Sequence, residues 1–213
     1  MSFQPILSFY QNKFDYRSID LSEDTLIKYK VDVANHFSLI EYLEKVKSKA
    51  DVEVLYGGYL EKRSLYNQKD LFQHQNKQRN IHLGIDFWAE AGEDILCPFD
   101  GVVHSFANNK GFGNYGPCII LKHNKNQEDF YTLYGHLNRE SLLNIEVGEF
   151  IKQNQVFCKL GEVDENGGYV PHLHFQIIKN IENFKGDYPG VCHAGDLQYY
   201  KANTVNPEEF LDL

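Results

Sequence analysis

Residues 170–177 read "VPHLHFQI", two histidines one residue apart in a largely apolar run. In an extended strand residues i and i+2 share a face, so His172 and His174 project together while Leu173, Phe175 and Ile177 project the other way. Taken alone, such a pair is most simply a solvated strand face, and chemistry needs partners elsewhere in the chain. "IHLGIDF" supplies His82 and Asp86, and "LYGHLN" supplies His136. A catalytic zinc site keeps three protein ligands and leaves one position open for water. His82, Asp86 and one of His172 or His174 would make the three. The other histidine of the pair, with His136, then lies where it can handle protons, for which an imidazole titrating near neutrality is suited.

These residues need particular elements to hold them. A fully extended strand would set the Cα atoms of His82 and Asp86 about 13 Å apart, too far to share one ion through bonds of about 2 Å. The segment must therefore bend, and Gly84 is the residue that lets it. From residue 81 onward, short β-rich runs such as "DILCPFDGVVHSFA", "PCIILKH", "DFYTLYGHL" and "EFIKQNQVFCKLG" alternate with turn signals including "NNKGFGNYG" and "DENGG". That spacing predicts an antiparallel sheet built from hairpins, not alternating βαβ units. The one helix expected is "HFSLIEYLEKVKSKAD", with Phe37, Ile40, Leu43 and Val46 at helical spacing and a Ser38 to Glu41 capping box. His36, His74, His104, His123 and His193 are read as structural.

The chain has 213 residues, 42% of them hydrophobic, as expected of one compact soluble unit. A formal charge of −9 argues against nucleic acid as a partner. No run approaches the roughly 18 apolar residues of a membrane span, and the first residues do not read as a secretory signal. As written the sequence is expected to be cytoplasmic, or periplasmic or extracellular if it is exported by another route or has lost a leader. Cys97, Cys118, Cys158 and Cys192 form no C-x-x-C pair and are expected to be buried thiols.

Three motifs in order, "HLGID" at 82–86, "YGHL" at 134–137 and "PHLHF" at 171–175, closely resemble those of the M23 metallopeptidases, the lysostaphin and LytM-like family. The stretches "EDILCPFDGVVHSF", "NYGPCIILKH" and "VGEFIKQNQVFCKLGEV" resemble its framework, and "YGGYLEKRSLY" is similar to the Gly- and Arg-bearing segment before the first motif. The resemblance covers about residues 54–180. It implies a mainly β fold, α+β overall, with an antiparallel sheet core of LytM/lysostaphin type and a partly helical N-terminal extension. Residues 1–53 are expected to be an accessory segment packed on a metallopeptidase domain at 54–213.

By the same resemblance His82, Asp86 and His174 correspond to ligands of Zn2+, and His136 and His172 to the catalytic pair. The activity implied is metal-assisted hydrolysis of amide bonds in peptidoglycan or wall-derived peptides. No H-E-x-x-H motif is present, so a helix-borne glutamate base is not the design. Two other readings stay open on sequence: a non-catalytic module that binds or activates a partner hydrolase, and an intracellular peptidase acting on small or recycled peptides.

Overall fold

Period-two alternation organises the fold around a sheet that is covered on both faces. The structure, a computed structural model, describes residues 3–64, 73–74 and 77–213. Its strands are β1 (Tyr16–Ser18), β2 (Val54–Gly57), β3 (Gln73–His74), β4 (Lys77–Gln78), β5 (Ile81–His82), β6 (Ile85–Trp88), β7 (Asp94–Leu96), β8 (Gly101–Asn109), β9 (Gly116–Lys125), β10 (Glu128–Gly135), β11 (Phe150–Ile151), β12 (Val156–Lys159), β13 (Leu173–Ile178), β14 (Val191–Cys192) and β15 (Thr204–Val205). Among the described residues four α-helices accompany them: α1 (Glu23–Lys28), α2 (His36–Ala50), α3 (Leu197–Asn203) and α4 (Pro207–Leu211). Among the described residues the main sheet runs β1-β2-β6-β13-β10-β9-β8-β11, with β15 beside β13. It is antiparallel except at one edge, where β1 lies parallel to β2. The fold is therefore mostly β with few helices, as the sequence implied.

Alternation sorts the side chains. Leu173, Phe175 and Ile177 of β13 join Ile85, Phe87, Ile119, Leu121 and Tyr134 in the largest core. Ile178, the next residue along β13, joins Cys118, Ile120 and Leu133 beneath Tyr188 and Ile181 on the other face. Because both faces are covered, every residue of β6 and β13 is buried. Full burial of each large apolar side chain is worth about 1.5–3 kcal/mol, which gives this pair of strands a rigid setting for its polar members. All four cysteines are buried free thiols.

Helix α2 forms where expected, with a different N-cap and only part of the expected apolar stripe covered, since Leu43 and Val46 pack inward. Its N-cap is Asn35, whose side chain accepts from Phe37 N–H. Ser38 instead accepts from Asp32 N–H through its hydroxyl, so no Ser38–Glu41 capping box forms. Leu39 and Leu43 are buried, whereas Phe37 is 77% exposed and Ile40 is also exposed. An i, i+4 stripe one step round the helix faces the body, and packs with Leu21, Leu26, Leu55, Trp88 and Val170. Val191 and Cys192 form β14, which pairs with β5 in the register Val191↔His82. Pro207 at the start of α4, capped by the Asn206 side chain, carries Leu211 into the main core.

His123 is a buried histidine with no part in the site described below. Its Nδ1–H donates to the Asp100 carbonyl at 2.9 Å, and Nε2 lies 2.7 Å from Thr132 Oγ1. Burial pushes its pKa down to about 4. An unfolded histidine takes up its proton near pH 6.5, so between pH 6.5 and about 4 the unfolded chain binds more protons than the native one. Stability must then fall as pH falls through that window, by about 3 kcal/mol at 1.36 kcal/mol per pH unit. Urea midpoints at pH 7 and pH 4.5 are expected to drop less in His123→Gln than in the wild type. Parallel drops would refute this origin.

Candidate metal centre

Strand pairing alone brings five separate segments to one place. His174 lies opposite Asp86 on one neighbour and Gly135 on the other, Asp86 lies opposite Gly57, and His82 opposite Val191. The chain breaks its extended course between β5 and β6 at Leu83 and Gly84. A Cβ at Gly84 would stand 2.5 Å from the Phe175 carbonyl and 2.9 Å from His174 Nε2. Glycine is thus required there for close approach, and the bend lets His82 and Asp86 converge. His82 Nε2 is 3.3 Å from Asp86 Oδ1, His174 Nδ1 is 3.2 Å from the same oxygen, and the two nitrogens are 2.8 Å apart.

The surrounding hydrogen bonds fix what each converging atom carries. His82 Nδ1 lies 3.0 Å from the Gly58 carbonyl, which can only accept, so the proton sits on Nδ1 and Nε2 bears a lone pair. Gln176 donates through Nε2 to the Pro189 carbonyl, which turns its Oε1 toward His174 Nε2 at 3.1 Å. His174 therefore donates from Nε2 and presents a lone pair at Nδ1. Two imidazole lone pairs and a carboxylate oxygen face one another in a buried site, an arrangement that a cation at their centre would relieve. Tetrahedral zinc with bonds of about 2.0–2.1 Å places ligand atoms roughly 3.3 Å apart, close to the triangle seen here. The donor set of two neutral histidines and one carboxylate, with their outer nitrogens already hydrogen-bonded, fits zinc.

Electrostatics agree with that reading. Burial on its own would raise the Asp86 carboxyl, but the His82 imidazole and the Arg63 guanidinium beside it hold it well below the usual carboxylate range. Arg63 is fully buried and pairs with Asp86 Oδ2, with Glu61 Oε2 and with the Gly57 carbonyl. Asp86 thus spends one oxygen on the guanidinium and turns the other to the two histidines. Burial drives His82 down to about 3, against the opposing pull of Asp86, so its imidazole is neutral and able to coordinate.

His136 and His172 border this triangle. His172 Nε2 is 3.8 Å from Asp86 Oδ1, and the His136 and His172 rings lie 4.4 Å apart. Each Nδ1–H donates at 2.7 Å to a carbonyl, that of Asn166 for His136 and that of Val170 for His172. Their Nε2 atoms therefore carry the lone pairs. Burial lowers both pKa values, that of His136 far below the ordinary histidine value with added repulsion from His172 and His174. His136 reaches its position with φ at +65°, a left-handed conformation that is uncommon for a residue other than glycine. Trp88 stacks on His172 with ring centroids 6.0 Å apart. The cleft in front is lined by Tyr115, Tyr169, Tyr188 and Gly190 as well as the histidines.

All five sequence-derived site residues are thereby brought together. Sequence reasoning passed over Gln176, Asn166 and Glu61, and touched Arg63 only through the Gly- and Arg-bearing segment, whose end at residues 65 and 66 lies outside the described residues. The i+2 rule that paired His172 with His174 also puts Gln176 on their face, so that residue was within reach. Cys192 packs against Ile81 and Leu83 and is not part of the triangle, and His193 caps Gly195.

Three convergent lone pairs flanked by two proton-accepting imidazoles form an arrangement suited to metal-dependent hydrolysis. Residues 80–185 match the model of Peptidase family M23, and the chain belongs to that family through this domain. Over 96 residues it is 30% identical to the DD-carboxypeptidase/endopeptidase Mpg of Neisseria meningitidis, a match covering 45% of this chain and 20% of that protein. Over 98 residues it is 31% identical to a lipoprotein NlpD/LppB homolog of Pseudomonas aeruginosa, covering 46% of this chain and 29% of that one. The chain thus matches less than a third of the length of either relative. Among solved structures, the catalytic domain of lysostaphin from Staphylococcus simulans aligns with 63% of this chain and 81% of its own, at 22% identity and a TM-score of 0.44.

Proposed function

We propose that the protein is a zinc-dependent endopeptidase acting on the stem peptides or cross-links of peptidoglycan. The observation that carries this reading is the convergence of His82 Nε2, Asp86 Oδ1 and His174 Nδ1 within 3.3 Å of one another, beside two imidazoles whose hydrogen bonds leave Nε2 free. In it, His82, Asp86 and His174 hold the metal, and His136 and His172 move protons. Residues 54–213 are assigned to the peptidase domain and residues 1–53 to an accessory segment. The M23 family and the endopeptidase named among the relatives support the wall-peptide substrate class.

Bound zinc would supply Lewis-acid polarisation of the scissile carbonyl and a nucleophile at neutral pH. The protein's own groups do the rest. His172, whose Nε2 lies 3.8 Å from Asp86 Oδ1, accepts a proton at that nitrogen, and the carbonyl on its Nδ1–H holds the ring in the tautomer that can do so. His136 is held the same way on the other side, and whichever imidazole has taken up a proton can return it to the departing amine. Gln176 and Gly58 fix the outer nitrogens of the two ligating histidines, so the site does not have to reorganise when the metal binds.

Stripping metal with a chelator is expected to abolish cleavage of a soluble cross-linked muropeptide, and one equivalent of zinc to restore it. Full turnover by the verified metal-free protein would overturn the proposal.

A further inference from the structure

The metal centre is supported from outside the family-matched region. Glu61 and Arg63 lie upstream of residue 80, and so does the N-terminal segment that meets them. Leu21 N–H donates to Glu61 Oε1 at 2.9 Å, Glu61 Oε2 accepts from Arg63 Nε, and Arg63 Nη1 pairs with Asp86 Oδ2. The turn bearing Leu21 is itself fixed, because Ile19 N–H donates to the Tyr56 carbonyl and Glu23 N–H to the Lys62 carbonyl. A second contact runs in parallel. Leu21, Leu39 and Leu43 pack with Trp88 and Val170, and these two residues hold His172 by ring stacking and through the Val170 carbonyl.

We propose that Glu61 is a positioning residue coupling the N-terminal segment to the metal centre: the Leu21 amide fixes the Glu61 carboxylate, which aims Arg63, which turns Asp86 so that Oδ1 faces His82 and His174. Arg63 offers donors in a rigid planar fork. With Glu61 holding Nε and the Gly57 carbonyl holding Nη2, the direction of Nη1 is set, and the rotation of Asp86 with it. Residues 1–53 are then part of what makes the site bind metal tightly, as well as a cover for one face of the sheet. This inference rests on the metal-centre reading under Proposed function.

The test uses the full chain and reads zinc affinity by chelator competition, with folding of the metal-free forms checked by circular dichroism and urea denaturation. Glu61→Ala is expected to weaken zinc binding about 10–100-fold, the usual effect of losing a partner that orients a ligand. Glu61→Gln, which keeps size and the acceptor for Leu21, is expected to lose less, and it decides the matter should the alanine form not fold. Coupling is reciprocal, so zinc is also expected to slow hydrogen exchange at the Leu21 amide of the wild type, and to slow it less in Glu61→Gln. Affinity within about twofold of wild type in a folded variant, or no zinc-dependent protection at Leu21 in the wild type, would overturn the coupling. A wild type that binds no zinc would overturn the metal-centre reading instead.

Discussion

His174→Ala is expected to retain no zinc after dialysis against a chelator and to show no turnover, whereas His136→Ala and His172→Ala keep one equivalent of zinc and lose about 10²–10⁴-fold in kcat. The division follows from where each imidazole points. His174 places Nδ1 within 3.2 Å of Asp86 Oδ1 and 2.8 Å of His82 Nε2, so its removal opens one corner of the triangle. His136 has no atom in that triangle. Its Nδ1–H is tied to Asn166, and its ring lies 6.3 Å from that of His174. His172 lies just before β13, with its Nδ1–H tied to the Val170 carbonyl and its Nε2 3.8 Å from Asp86 Oδ1, outside the triangle. Metal analysis of the three purified variants beside the wild type checks the assignment. Equal loss of zinc from all three would contradict it.

Arg63→Met is expected to destabilise the metal-free protein by about 3–5 kcal/mol, the usual cost of stranding a buried charge by removing its partner. Here two carboxylates are stranded, since both Asp86 and Glu61 pair with Arg63 in a site where Arg63 is 1% exposed. The Trp88 ring, 5.7 Å from the guanidinium carbon, loses its cationic neighbour as well. Arg63→Lys keeps the charge but cannot reproduce the fork, and should fall between the two. Urea denaturation of all three forms reads this directly, as a lower midpoint at an unchanged slope. A shift below about 1 kcal/mol would mean that Asp86 and Glu61 are solvated or protonated when Arg63 is absent.

Much of the site was legible in the sequence because its logic is local. The i+2 rule paired His172 with His174, and the mismatch between an extended strand and two short metal bonds required the bend at Gly84. What joins those local pieces was not legible. Nothing in the spacing of "YGGYLEKR" says that a charged arginine will be buried against an aspartate on the neighbouring strand, because that depends on the β2–β6 register. Helix α2 was found, and Leu43 and Val46 of its expected stripe do pack, but Leu39 is buried where Phe37 and Ile40 are exposed. Phe37 and Ile40 satisfy helical periodicity as well as Leu39 and Leu43 do, and only the position of Leu55 and Trp88 decides which stripe is covered. The short helices α3 and α4 span too few residues to show a period, and β14 is two residues long. Such elements are set by their tertiary partners.

The central claim is tested most directly by incubating the zinc-loaded protein, beside His136→Ala, with purified sacculi and with soluble muropeptides, and identifying the products by mass spectrometry. The account predicts new peptide ends released by the wild type alone, at an amide bond within a stem peptide or cross-link. No new ends from either substrate, with zinc confirmed in the protein, would contradict it and leave a metal-bearing module that binds wall peptides without cutting them.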